Sequence, residues 1–202
     1  MIEDRDIPLE LVRRYVDAMA STFGAHLGKR GAVLDGALTV LGTSPSDYAT
    51  TIGHELMTPA PLGTVELVAL GWSPWSQISV VAHECMHIVE SDETGLVEHA
   101  WSYLTSGSRR QELECRAMLA QLELEIWRRG VVAEWWPRVY ADALRAYHVS
   151  DADLSVAERY LRAAAATVRA GGIITPSGRV AIAWLDEHAP ELRAPDAPPR
   201  RA

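Results

Sequence analysis

The stretch SPWSQISVVAHECMHIVES, residues 73–91, is apolar on nearly every side when wound as a helix. Ile78, Val80, Val81, Ala82, Met86, Ile88 and Val89 spread right round the axis, so this helix must lie at the centre of the fold. Pro74 after Ser73 marks its start, and the pattern predicts a helix from 74 to about 91. Two histidines, His83 and His87, stand four apart in it, with Glu84 directly after the first. Positions four apart on a helix share a face about one turn apart, so both imidazoles can aim at one ion. Glu84 lies about 100° round from His83, placed to reach a water on that ion rather than to displace it. Zinc takes neutral imidazole at about 2.0–2.1 Å and lowers the pKa of bound water towards 7. A carboxylate beside that water can accept its proton and pass it to a leaving amine. The competing reading is a buried helix whose histidines bond backbone carbonyls.

The chain carries its own control. In IGHELMT, His54 and Glu55 are followed by Thr58 where the motif needs a second histidine. The run YATTIGHELMT (48–58), bounded by Pro45 and Pro59, reads as a strand, which would send His54 and Glu55 to opposite faces. His54 then belongs to a site only through proximity of that strand to a cleft.

Around the central helix, residues 8–27 read as a helix, with Val12, Tyr15, Val16, Met19, Phe23 and Leu27 forming one stripe. GALTVLG (36–42) reads as a short strand and PAPLG as a loop. Helices are expected at 96–107, 109–130, about 132–148, 153–170 and 178–188, the second closed by Gly130. The expectation is an α+β fold, mostly helical: a small N-terminal sheet, then the two-histidine helix, then a glutamate-bearing helix. One domain would span 1–188, with its core at 36–130 and C-terminal helices over 132–188. The Pro- and Ala-rich residues 189–202 read as a disordered tail.

Charge and cysteine content narrow the setting. A net charge of −8 and a pI near 5.3 argue against a nucleic-acid partner. No run approaches the roughly 18 apolar residues of a membrane span, and the acidic opening MIEDRDIPLE is no secretory signal. Two cysteines, Cys85 and Cys115, are too few for a disulfide framework, so a cytoplasmic location is expected and both read as small buried apolar residues.

A catalytic zinc needs a third protein ligand and an open position. The residues after His87 read IVESDE, which excludes a third histidine in the metzincin spacing. Glu98, His99, Glu112 and Glu114 remain. Helix phase favours Glu112, which starts a stripe through Cys115, Leu119, Leu122 and Ile126 that should face the core. Glu114 is about 200° away, on the flank. Tyr103, Tyr140, Tyr147 and His148 are possible donors to a developing oxyanion, and nothing in the sequence selects among them. Trp72, Trp75, Trp135 and Trp136 read as packing residues.

HECMH followed by WSYLTSGSRRQELECRA resembles the gluzincin class of zinc metallopeptidases, and most of all the small metallopeptidases carried by phages and mobile elements. The resemblance covers roughly residues 36–127. It implies Zn2+ as cofactor, a peptide or protein substrate, and the first glutamate of Glu-x-Glu, Glu112, as third ligand. It also implies that YATTIGHELMTP borders the substrate cleft. Related chains often carry Asp or Asn where this one has Arg116, so a supporting carboxylate at that position is missing. The expectation is zinc-dependent peptide hydrolysis, with His83, His87 and Glu112 as ligands and Glu84 as base. The alternative is a catalytically silent metal-binding protein, or a helical phage accessory or regulatory protein.

Overall fold

The computed structural model describes residues 2–31, 48–131 and 133–199. They form a mostly helical α+β fold with one small sheet. The helices are α1 (Leu9–Phe23), α2 (Val65–Ala69), α3 (Pro74–Thr94), α4 (Leu96–Thr105), α5 (Gly107–Arg129), α6 (Trp136–Ala143), α7 (Asp151–Arg169) and α8 (Pro176–His188). The strands are β1 (His26–Lys29), β2 (Thr50–Ile52) and β3 (Glu55–Thr58). Among the described residues no helix is long and apolar enough to cross a membrane.

The central helix α3 follows its local signals. Ser73 caps it by accepting from the Ser76 amide at 3.0 Å, and Pro74 fills the first turn. Such a cap contributes about 1 kcal/mol. Trp75, Ile78, Val81, Ala82, Cys85 and Met86 then pack against Val12, Tyr15, Val16 and Met19 of α1, Ala117, Ala120, Leu124 and Trp127 of α5, and Ala181, Ile182 and Leu185 of α8. Helix α5 is wedged between two cores. Its other side, Cys115, Leu119, Leu122 and Ile126, packs on Trp136, Ala141 and the α7 residues Leu154, Ala157, Leu161 and Ala165. Each fully buried aliphatic side chain here is worth about 1.5–3 kcal/mol.

Several sequence expectations need correction. The helix expected over 8–27 stops at Phe23, because Gly24 turns left-handed at φ +65° and bonds back to the Ala20 carbonyl. His26 and Leu27 therefore belong to β1, which runs parallel to β3 with His26 opposite Glu55. The single strand expected over 48–58 is a hairpin. Gly53, at φ +58°, opens a two-residue turn that pairs Ile52 with Glu55, so β2 runs antiparallel to β3. The strand expected at 36–42 lies outside the described residues. The loop after PAPLG leads into α2, capped by Thr64. The helix expected from 132 begins only at Trp136, with Pro137 in its first turn, and gives way to a 3-10 turn at Leu144–Tyr147.

The expected disordered tail is corrected as well. Residues 190–192 form a 3-10 turn, Leu192 and Ala194 are buried, and the Ala194 amide bonds the Trp127 carbonyl at 3.1 Å. Arg128 explains this. Its side chain is buried over the Trp75 ring and needs acceptors, which it finds in the Leu192 carbonyl (2.8 Å), the Ile2 carbonyl and Asp4. A buried guanidinium left unsatisfied would be costly, so the segments around Ile2–Asp4 and Leu192 are drawn onto α5.

Candidate metal centre

Helix α3 carries His83 and His87 on the side that meets the start of α5. Their rings stand 5.0 Å apart, centroid to centroid. The side chain that reaches them from α5 is Glu114. Its Oε2 lies 3.5 Å from His83 Nε2, and its Oε1 lies 3.7 Å from His87 Nε2. Ligand atoms about 2.0–2.2 Å from one tetrahedral ion sit roughly 3.3–3.6 Å from one another, so this spacing fits a metal ion. His83, His87 and Glu114 form the one group of three or more potential ligands found among the described residues. Two buried atoms of the cluster, Glu114 Oε2 and His83 Nδ1, make no hydrogen bond. Buried polar atoms are normally satisfied, and an orphaned carboxylate oxygen facing two imidazoles is what a metal would complete.

Glu112, expected as the third ligand, is not in the cluster. Its side chain is 57% exposed and pairs with Arg109 at 2.7 Å on its own helix. The stripe used to choose it is real, but it faces α7 rather than α3. The face turned to α3 runs through Ala117, Ala120, Leu124 and Trp127, and Glu114 stands one turn before Ala117. A helix with two buried faces offers two apolar stripes, and helix phase does not say which neighbour each one meets.

The partners of the cluster residues are unevenly visible in the sequence. His87 Nδ1 bonds Glu90 Oε2 at 3.2 Å, which turns Nε2 towards Glu114. Glu90 is fully buried and its second oxygen lies 3.4 Å from Arg116 Nε. Arg116, where the resemblance expects Asp or Asn, pairs with Glu90 and with Glu93 (3.3 Å). A His-x-x-Glu spacing on one helix was the available signal for Glu90. Tyr103, from α4, donates its hydroxyl to Glu114 Oε1 at 2.6 Å. Glu84 is buried next to the cluster, and its Oε2 accepts from Thr51 of β2 at 2.7 Å.

The electrostatics follow from this packing. Burial alone would lower the pKa of His87, but the bond to Glu90 and the charges of Glu114 and Glu84 reverse that and raise it to about 9. Burial would raise Glu114, and the contact with His83, the charge of His87 and the Tyr103 bond pull it down to about 2. Without metal, the raised His87 pKa adds stability that is lost as pH rises through about 9. The lowered Glu114 pKa adds stability that is lost as pH falls towards 2.

The remaining candidates sit elsewhere. His99 is half-buried, 6.4 Å from His87 ring to ring and stacked over Tyr103, and it is not a member of the cluster; burial, then His87 and Arg109, lower its pKa. Glu98 is exposed. His54 is a clamp in the hairpin turn, its Nδ1 3.0 Å from the Gly24 carbonyl oxygen and its Nε2 3.0 Å from Asp92. Glu55 pairs with His26 at 2.9 Å. Cys85 and Cys115 are buried and unpaired in different cores, where burial pushes their thiols up to about 12 and about 11. Tyr140 packs on Trp136 and Tyr147 edges onto Tyr48.

No protein-family model, no curated protein and no solved structure matches this chain. What fold and site define is a class: a mostly helical α+β protein with a buried two-histidine, one-glutamate cluster suited to a metal ion.

Glu90 gives a first prediction. Glu90→Gln keeps the size of the side chain but loses the charge that fixes the His87 tautomer, and metal affinity should fall about 10- to 100-fold. Competition against a chelating dye measures this; unchanged affinity would show that Glu90 only balances Arg116.

Proposed function

We propose that this protein is a zinc-dependent hydrolase of peptide bonds, with His83, His87 and Glu114 as zinc ligands and Glu84 as the base. The observation that carries the reading is the Glu114 carboxylate seated between the two imidazoles while Glu84 stays beside the cluster and outside it. Two nitrogens and one carboxylate suit zinc, and three protein ligands leave one position for water or substrate. When bound, zinc lowers the pKa of that water and polarises a carbonyl.

The chain's own residues supply the rest. Thr51 holds Glu84 Oε2, which leaves Oε1 for the proton of the attacking water. Glu84 then passes that proton to the departing amine nitrogen as the new C–O bond forms and the C–N bond breaks. Glu90 orients His87, and Tyr103 steadies Glu114. A protein that holds zinc without turnover is the second reading; it is favoured by the depth of the cluster, whose side chains are only 12%, 10% and 3% exposed.

The test is elemental analysis of purified protein together with hydrolysis of a denatured fluorescent protein substrate, before and after chelation. The expected result is about one zinc per chain and activity that is lost with the metal and restored by zinc. Metal without hydrolysis would leave the silent reading, and no metal would end both.

Acidity gives a further prediction. His87 carries a proton up to about pH 9 in the metal-free protein, and that proton must leave before Nε2 can ligate. Apparent affinity should therefore rise about tenfold per pH unit between pH 6 and 8, with about one proton released per ion bound, read by titration in buffers of different ionisation heat. A flat profile would show that His87 is neutral before metal arrives.

A further inference from the structure

His54 stands outside the cluster, in a setting of its own. It is the second residue of the turn between β2 and β3. Its Nδ1 lies 3.0 Å from the Gly24 carbonyl oxygen and its Nε2 lies 3.0 Å from Asp92 Oδ1. Both partners are acceptors. A neutral imidazole has one N–H, so it satisfies one of them and turns a lone pair on the other. The doubly protonated ring donates to both. The surroundings favour that form a second way. Gly24 closes α1 and Asp92 lies in the last turn of α3, so the ring sits between two helix C-termini, where a cation is stabilised.

The neighbouring charges are engaged with one another. His26 of β1 pairs with Glu55 of β3 at 2.9 Å, and Glu93 of α3 pairs with Arg116 of α5 at 3.3 Å. Helix α4 contributes Leu96, which lies against Gly53. The bond to Asp92, then the bond to Gly24, raise the pKa of His54 above the ordinary histidine value of 6.5, against the opposing effect of burial. A raised pKa of this kind adds stability that is fully present below the ordinary value and is lost as pH rises through the folded one.

The hairpin that His54 holds also holds Glu84. The His54 carbonyl accepts from the His26 amide at 2.7 Å, so this one residue ties the turn to the end of α1, the start of β1 and the end of α3. Three residues earlier, Thr51 donates to Glu84 Oε2 at 2.7 Å. Strand β2 is three residues long and, among the described residues, pairs with β3 on one side alone. So short an edge strand depends on its turn for its position.

We propose that protonated His54 is a positioning residue for Glu84: it clamps the β2–β3 turn between α1 and α3, so that Thr51 meets the Glu84 carboxylate, and the clamp opens when the proton leaves. This deepens the hydrolase reading, as a pH-dependent regulation of its base, and rests on it for the word base. The clamp and its link to Thr51 are read without metal or turnover.

The experiment uses the full chain. Metal-free protein is titrated by NMR of the imidazole carbons, with His54→Gln identifying the His54 resonance. The expected midpoint lies above 6.5, and Asp92→Asn brings it down. A double-mutant cycle of His54→Gln and Thr51→Val, read by chemical denaturation, should be non-additive below that midpoint and additive above it, because the coupling needs the proton. Both positions are partly exposed, so the variants keep the core intact. With zinc saturating, wild-type kcat should exceed that of His54→Gln by about two- to tenfold below the midpoint, the worth of one hydrogen bond, and approach it above. A midpoint at or below 6.5, or one that Asp92→Asn leaves in place, would overturn the clamp. Additivity at every pH, or a kcat ratio that does not change with pH, would overturn its link to Glu84 and leave a local clasp. Absence of zinc or of hydrolysis would count against the hydrolase reading alone, since the titration and the cycle need neither.

Discussion

Glu114→Gln strips the protein of its metal, and Glu112→Ala leaves it fully loaded: this is the expected result of the most decisive pair of variants. Among the described residues, Glu114 contributes the only carboxylate whose oxygens lie within 3.7 Å of both imidazoles. Glutamine keeps the shape and can still accept from Tyr103, so the fold is preserved while the anionic ligand is lost. The loss should exceed the roughly 10- to 100-fold that a supporting carboxylate is worth, because a ligand itself is removed. Glu112 is more than half exposed and pairs with Arg109 one turn away. Its removal should change stability by less than about 0.5 kcal/mol and metal content not at all. Metal analysis after dialysis, with circular dichroism to confirm folding, reads both. Retention by Glu114→Gln would mean that the two histidines hold the ion with a different third partner.

Glu84→Gln is expected to have the largest effect on rate. Glutamine keeps the size of the side chain and can still accept from the Thr51 hydroxyl, but it cannot take a proton. Hydrolysis should drop by about 10²- to 10⁴-fold while metal content stays at the wild-type level. If the metal leaves with the charge and the fold survives, Glu84 is a ligand and not a base. A weaker companion is Thr51→Val, which frees Glu84 Oε2 and should reduce kcat with little change in metal content. Should Thr51→Val release metal, the hairpin would have a part in building the cluster.

The α3 helix could be read from the chain because everything that makes it is local. A serine cap, a proline in the first turn and an unbroken apolar surface need no knowledge of neighbours, and the four-residue spacing of His83 and His87 is a property of one helix. The same holds for the α+β class with its small sheet, which follows from helix-period patterning and short β-branched runs. The hairpin reads as one strand in the sequence because Gly53 sits inside an otherwise strand-like run, and its left-handed φ shows only once two strands pair across it. The tail reads as disordered because composition describes only what a segment can bury alone. Arg128, 64 residues away from Leu192, is what makes its carbonyl worth burying.

The sequence by itself determined the two histidines, the adjacent glutamate and the helix that presents them, since one helix's own periodicity sets all three. Only the tertiary structure decided the third member of the cluster. Both glutamates lie within the first eight residues of α5, and that helix is buried on two sides, so the choice between Glu112 and Glu114 depends on which side meets α3. That is a matter of how α3, α5 and α7 pack around one another, and no pattern within α5 encodes it.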